Sequence, residues 1–403
     1  MFEIVSSVLS EGPICDDCLG RQFAKCSTNL TNKQRGNALR IVTAMLNREP
    51  FTPSEAQDSN ALCWVCGGLF AQLSEWADRC LTTLEGVEFS TFLVGTRLSG
   101  RLAENEEIIW AESKTTMAEP LKSALNREIG KRIEAFTGAK VDFQRPDVLL
   151  LVDLARDKVE AQIHPLFLYG RYKKFVRGIP QTRWPCRECE GKGCPRCDYK
   201  GKMYPESVQE IIEERVLNLT EGAATVFHGA GREDIDALML GTGRPFVLEV
   251  ISPLKRDLEL QALENAINTS QNKVAVSGLK YTDHHAVVKI KNTASDKVYR
   301  LKVIYEDRVD PKKLRAALKR LQGEIEQVTP QRVAHRRADI KRHKKVYSAD
   351  LKDDEIIIRC EGGLYVKELI SGDNGRTTPN LSALIETRAE VSELDVLDVD
   401  GGL

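Results

Sequence analysis

His228-Gly229-Ala230-Gly231-Arg232-Glu233-Asp234-Ile235-Asp236 is the stretch on which the reading of this chain turns. Glycines precede an Arg-x-Asp, and Arg244–Ile251 then reads as a strand. Glycine lets a backbone bend sharply and leaves room for a ligand beside it. An acid on such a bend, next to an arginine, is favoured in its ionised form. From the residues alone Asp234 and Asp236 are both candidates, and a loop of this composition also serves as an ordinary turn.

Working outward, the flanking segments alternate. Downstream, Leu258–Ile267 reads as a helix, and Ala286–Ile290 and Lys297–Tyr305 as strands. Asp310 caps a helix with Pro311 in its first turn and Gly323 at its end, and Glu355–Cys360 and Val391–Val399 are further strands. Upstream, Glu206–Leu217 is a helix, preceded near Gly178–Pro185 by a cluster of Gly, Pro and basic residues that marks a boundary. Val148–Leu154 and Val159–Ile163 form a hairpin turned at Arg156-Asp157. Glu119–Phe136 is an amphipathic helix, with Leu121, Leu125, Ile129, Ile133 and Phe136 on one stripe and Gly138 as its stop. Ala71–Leu81 has helical spacing, and Met1–Gly67 is helical and irregular. The expectation is an α+β protein with a mixed or antiparallel sheet in its second half.

Length and charge bound the function. A chain of 403 residues fits two or three domains at roughly 150 residues each. Met1–Ser10 lacks the basic start of a signal peptide, and Val148–Val152, the richest apolar run, stops at Asp153. That run is far short of the ~20 residues that span a bilayer, so a cytoplasmic protein without a membrane partner is expected. Net charge is −1, so any nucleic-acid binding must come from local patches. Arg171–Lys202 holds ten Lys/Arg against three Asp/Glu, and Gln331–Lys345 holds seven against one. A single basic run is often no more than a solvated face, but two of them beside a cysteine cluster point to RNA.

Eight of the eleven cysteines fall into four C-x-x-C pairs. Cys15/Cys18 and Cys63/Cys66 are widely separated, while Cys186/Cys189 and Cys194/Cys197 form C-x2-C-x4-C-x2-C. A C-x-x-C turn directs two sulfurs to one side, and two turns complete a four-thiolate shell of the structural zinc type. A redox dithiol usually stands alone, so two structural zinc ions are expected. Cys26, Cys80 and Cys360 read as core residues.

Gly231-Arg232-Glu233-Asp234 resembles the G-R-x-D loop of RNA pseudouridine synthases. The longer Gly231–Gly241 string, with Gly243-Arg244-Pro245-Phe246, resembles the archaeal-type, THUMP-containing family that acts on positions 54 and 55 of the tRNA T-loop. His164–Gln181 looks like the end of that family's THUMP-containing RNA-binding domain. Gln331–Asp339, Glu361–Pro379 and Cys-x-x-Cys-Leu-Gly-Arg-Gln-Phe from Cys15 are similar to further family blocks. The resemblance spans nearly the whole chain. It implies an accessory RNA-binding domain at 1–180 with the first cysteine set, a zinc knuckle at 181–205 and a pseudouridine synthase domain at 206–403.

The resemblance also distributes roles. Asp234 aligns with the catalytic aspartate, and Tyr299 with the tyrosine that packs on the target base and serves as a base. Val366 and Lys367 match the apolar-basic pair of the site, and Leu394 a late apolar contact. Lys367 or Arg232 would pair with Asp234 and lower its pKa. The run Arg332–Lys345, with Arg332, Arg336, Arg337, Lys341 and Arg342, is expected to be a mobile loop gripping phosphates. The implied partner is tRNA, at its T-loop, elbow and acceptor region, with no redox or nucleotide cofactor and no obligate protein partner. Two other readings remain. One is a different THUMP-linked tRNA-modifying enzyme; the Ser-Gly-Gly-x-Asp-Ser loop of thiouridine synthesis and the His-x-Glu of deamination are both absent from the sequence. The other is a non-catalytic zinc-ribbon RNA-binding protein.

Overall fold

The computed structural model describes residues 2–51, 63–293, 295–335 and 338–402. Arg336 and Arg337 therefore lie outside the described residues. The chain divides into two units, Met1–His164 and Pro165–Leu403.

The first unit begins with helices Phe2–Ser10, Asp16–Arg21 and Asn32–Asn47. The third starts on a capping box: the Thr31 hydroxyl accepts from the Gln34 amide at 3.1 Å, and the Gln34 side chain accepts from the Thr31 amide at 2.9 Å. Gly20 and Gly36 let the second and third helices touch backbone to backbone. A Cβ at Gly20 would stand 1.8 Å from the Asn32 carbonyl oxygen, and one at Gly36 1.9 Å from that of Asp16. Strands β1 (Thr91–Arg97), β2 (Lys140–Val141), β3 (Val148–Asp153) and β4 (Lys158–Ile163) form a sheet in the order β2-β1-β3-β4. β1 is parallel to both neighbours, and β3–β4 is the expected hairpin. Helix Leu121–Thr137 buries Leu121, Leu125, Ile129 and Ile133 as expected. Phe136, the last member of that stripe, is instead 79% exposed, and nothing in the structure explains why it is left uncovered.

The second unit contains β5 (Leu166–Lys174), β6 (Ala224–Gly229), β7 (Leu238–Ile251), β8 (Val274–Thr282), β9 (Lys297–Tyr305), β10 (Gly323–Val328), β11 (Lys341–Lys352), β12 (Glu355–Cys360), β13 (Thr377–Thr378) and β14 (Ala389–Val399). They make one mixed sheet in the order β13-β10-β11-β12-β9-β14-β7-β5-β8, with β6 paired to β7. Only β14–β7 is parallel. β7 pairs with β6 through Phe246–Ile251, with β5 through Met239 and Arg244–Val250, and with β14 through Leu238 and Met239. The bend between the two halves uses Gly241 and Gly243, at φ +57° and +79°. A Cβ at Gly241 would collide with the Leu397 carbonyl. The core beneath β5 and β7 is aromatic: Phe227 and Phe246 stack at 5.1 Å, and Tyr172 meets both edge-on.

Three expectations change. Ala286–Ile290 is not a strand but lies in helix His284–Asn292. The Asp283 carboxylate caps that helix by accepting from the His285 and Ala286 amides, and its buried face is Ala286, Val287 and Ile290, an i, i+1, i+4 set that a short run cannot distinguish from a strand. Residues 341–345 are not a loop: Lys341–Val346 pairs residue by residue with β10. Finally, Leu166–Lys174, read as the end of the RNA-binding domain, pairs with β7 and β8 inside the large sheet. The chain accordingly divides at His164–Pro165 rather than at residue 180.

Candidate active site

The loop between β6 and β7 carries the Gly231–Asp236 segment. Extended backbone turns successive side chains to opposite faces, and here Glu233 points inward with no exposed side-chain surface while Asp234 points outward, 43% exposed. Glu233 accepts from the Tyr172 hydroxyl at 2.9 and 2.7 Å and from Arg244 Nε at 2.8 Å, with Lys174 Nζ at 3.9 Å. Burial pushes the Lys174 ammonium below its ordinary pKa, and Glu233 opposes that shift. Burial alone would lower the Arg244 pKa, but Glu233 reverses this and raises it. The loop backbone is tied to the same group. Gln181 Nε2 donates to the Gly231 carbonyl at 3.0 Å, Arg244 Nη1 to that of Ala230 at 2.9 Å, and Lys174 Nζ to that of Ile235 at 3.2 Å. The outward carboxylate of Asp234 is thus set by an inward, buried ion cluster.

Asp234 opens into a cavity of about 420 Å³. Arg232, Asp234, Tyr299, Arg332, Arg342, Val366, Lys367 and Leu394, all named from the sequence, line it. Five of these positions come from β9, β11, β14 and helix Val366–Ser371, so elements far apart in sequence converge on one hollow. Lys367 Nζ stands 3.4 Å from Asp234 Oδ2 and 3.0 Å from Asp236 Oδ2, and Arg332 Nη1 3.7 Å from Asp234 Oδ2. Arg332 is itself held by Glu368 at 2.6 Å. For Asp236, burial works to raise the carboxyl pKa, but the hydrogen bond and charge of Lys367, with Arg177, together outweigh it and hold the group below its usual range. Arg232 does not pair with Asp234 as expected; its guanidinium lies 5.7 Å from the centre of the Trp184 ring. Lys341 is not among the lining residues and pairs with Glu326 at 2.7 Å.

Tyr299 is walled in by the cavity, and burial raises its phenol well above the ordinary pKa. Lys297, two residues earlier on the same face of β9, also lines the cavity. Burial pushes its ammonium down to about 8, aided by Arg244 and Lys344 and opposed by Cys360. The sequence reading did not single out Lys297, Lys344, Tyr365 or the buried set Tyr172, Lys174, Gln181, Glu233 and Arg244. Lys297 carried a legible signal as a charged residue inside an apolar strand, directly ahead of Tyr299.

The eight paired cysteines form two groups, Cys15/Cys18/Cys63/Cys66 and Cys186/Cys189/Cys194/Cys197, each with all sulfurs within 4.8 Å of one another. Cys15–Cys66, Cys186–Cys194, Cys189–Cys197 and Cys194–Cys197 sulfurs stand 3.8 Å apart. A disulfide would need about 2.0 Å, whereas four sulfurs at ~2.3 Å around a tetrahedral metal lie about 3.8 Å apart. Backbone amides of Gly193 and Gly201 donate to Cys189 and Cys197 sulfurs at 3.1 and 3.2 Å, as donors do around metal-bound thiolates. Both groups can therefore hold a metal ion. Among the described residues, no helix is long and apolar enough to cross a membrane.

Comparison with known proteins agrees with this site. The family model "Pus10, C-terminal" matches residues 167–400, and "Pus10 THUMP domain, archaeal" matches residues 76–153. A protein of Methanothrix thermoacetophila named tRNA pseudouridine synthase Pus10 is 48% identical, over 98% of this chain and 93% of that protein. One of the same name from Halorubrum lacusprofundi is 44% identical, over 100% of this chain and 96% of that protein. Among solved structures, a chain from a Cbf5-Nop10-Gar1 complex is 16% identical over 48% of this chain and 45% of that one, with a TM-score of 0.30, too slight a likeness to add to the fold described above. On the strength of these full-length relatives and both family models, the chain belongs to the Pus10 family, whose members named here are tRNA pseudouridine synthases.

Proposed function

We propose that this protein isomerises uridine 54, uridine 55 or both in the tRNA T-loop, with Asp234 as the catalytic carboxylate. The observation that carries the reading is the placement of Asp234 at the cavity mouth, with Lys367 at 3.4 Å and Arg332 at 3.7 Å. Two cations thus flank the carboxylate. The target uridine must leave the tRNA elbow to reach it, at a cost of a few kcal/mol. Tyr299, held as the neutral phenol, offers a stacking face worth ~1–3 kcal/mol. The N1–C1′ bond breaks with the electron pair leaving on uracil, as Asp234 either adds to C1′ or removes the C2′ proton to give a glycal. The uracil turns, and a C5–C1′ bond forms with release of Asp234 or return of the C2′ proton. The C5 proton then passes to a base and N1 takes up a proton, completing the isomerisation with no net oxidation. The regenerated Asp234 carboxylate is an acceptor at hand for that proton, which burial makes Tyr299 unsuited to take in its neutral form.

Arg332, Arg342 and Lys341 supply positive charge for phosphates of the tRNA, and Arg336 and Arg337 extend the run in sequence. Each cysteine group would hold a structural zinc ion; with all four ligand positions filled by protein sulfurs, such an ion would maintain the fold. Incubation with an unmodified tRNA transcript, followed by mapping of pseudouridine, tests the reading. Conversion is expected in the T-loop, whereas a non-catalytic RNA-binding protein leaves every uridine unchanged. Asp234→Asn is expected to reduce conversion below detection with tRNA affinity retained. Full turnover by that variant would assign the chemistry to another acid.

A further inference from the structure

The Cys186–Lys202 loop closes tightly at its base. Pro185 and Lys202 pair as a β-bridge, the Cys186 amide donates to the Gly201 carbonyl at 2.8 Å, and the Met203 amide to that of Trp184 at 2.9 Å. Beside the sulfurs lies a second cavity of about 280 Å³, lined by Arg187, Arg196, Lys200 and Lys202 against one acid, Asp198. Lys202 is held by Glu210 at 2.7 Å, and Arg196 lies 3.6 Å from Glu188. Arg187 and Lys200 have no acidic partner among the described residues. Next to them Tyr199 is 73% exposed, which leaves its ring free to stack on a flat partner.

This surface is continuous with the catalytic loop. Trp184, at the foot of the cysteine loop, meets the Tyr204 ring edge-on at 5.6 Å and carries the Arg232 guanidinium at 5.7 Å from its ring centre. Arg232 lies two residues ahead of Asp234. We propose that the Cys186–Lys202 loop is an RNA-contact element: Arg187 and Lys200 take backbone phosphates of the tRNA, and Tyr199 stacks on an unpaired base outside the catalytic cavity. The inference rests on reading that cavity as a tRNA site. Cations answer phosphates, and an aromatic face accepts any base, which together make a sequence-tolerant single-strand contact. The competing explanation is local: four thiolates on a divalent ion carry two net negative charges, which nearby cations would neutralise.

The full-length triple variant Arg187→Ala/Tyr199→Ala/Lys200→Ala separates the two. Bound zinc per chain, unfolding midpoint and affinity for unmodified tRNA at several salt concentrations are measured beside wild type. Zinc content and midpoint are expected to hold, while affinity falls roughly tenfold and the slope of log affinity against log salt shrinks by about 1.5. Wild-type affinity and slope in the variant overturn the proposal, with or without zinc loss. If zinc and affinity fall together, lysine acetylation of the wild-type protein decides: tRNA must shield Lys200, and an unshielded Lys200 refutes the contact. Pseudouridine mapping on the same samples keeps the two readings apart. Wild type that binds tRNA yet converts no uridine sinks the reaction, and leaves the contact test readable.

Discussion

At the scale of the residue, the buried ion cluster beneath the Asp234 loop carries the most weight. Glu233 is the carboxylate that balances Arg244 and Lys174, whose side chains are 1% and 0% exposed. Removing one partner of a buried pair strands the other charge. Glu233→Gln is therefore expected to destabilise the second unit by ~3–5 kcal/mol, read from denaturant unfolding, and to lower conversion because Asp234 loses its anchorage. A variant as stable as wild type shows that the cluster contributes nothing. Lys297 gives a pH test. Its ammonium titrates near 8 in the fold against 10.5 ordinarily. Below pH 8 it adds a cation to the cavity, and above it does not, so tRNA affinity is expected to fall as pH rises through 8. Lys297→Met is expected to lack that limb; a variant with the same pH profile removes Lys297 from the site. The stability sign runs the other way. Between about 8 and 10.5 the unfolded chain holds the extra proton, so this group's contribution to stability rises with pH across that window.

Among the elements, the two cysteine groups differ in what surrounds them. Cys15, Cys18, Cys63 and Cys66 sit in the core of the first unit with exposures of 0–1%, whereas Cys189, Cys194 and Cys197 are half-buried in a loop. Small modules draw ~10–16 kcal/mol from such a metal. Cys63→Ser is thus expected to collapse the first unit. Cys194→Ser is expected to lose one zinc while the large sheet still unfolds cooperatively. Near-UV circular dichroism with metal analysis checks both, and equal damage from the two substitutions contradicts the distinction. Strand β11 teaches a second lesson at this scale. Its basic run reads as a loop because Lys, Arg and His dominate, yet Lys341–Val346 pairs with β10 and offsets its charge against Glu326 and Glu361. Strand propensity yields here to tertiary pairing.

For the whole molecule, the place where the chain divides has a direct consequence. β5 lies between β7 and β8, and it supplies Tyr172 and Lys174 to the cluster under Asp234. A fragment Pro165–Leu403 is expected to fold with a single cooperative transition. One beginning at residue 181 lacks β5, leaves two strand edges unpaired and is expected to aggregate. Equal solubility and equal unfolding behaviour of the two fragments would place the division elsewhere.

The sequence by itself determined the two four-cysteine groups and the α+β class, and it named Asp234, Tyr299, Val366, Lys367 and Leu394, which line one cavity. Those features depend on local spacing, or on short strings that resemble a family block by block. Only the tertiary structure decided that Glu233 faces inward to Arg244 and Lys174, that Arg232 lies on Trp184 rather than on Asp234, and that Lys297 is a desolvated cation. Each depends on which side of a strand meets which neighbour across long sequence separations. Burial and the company of other charges, which set the ionisation of these groups, exist only once the sheet has assembled.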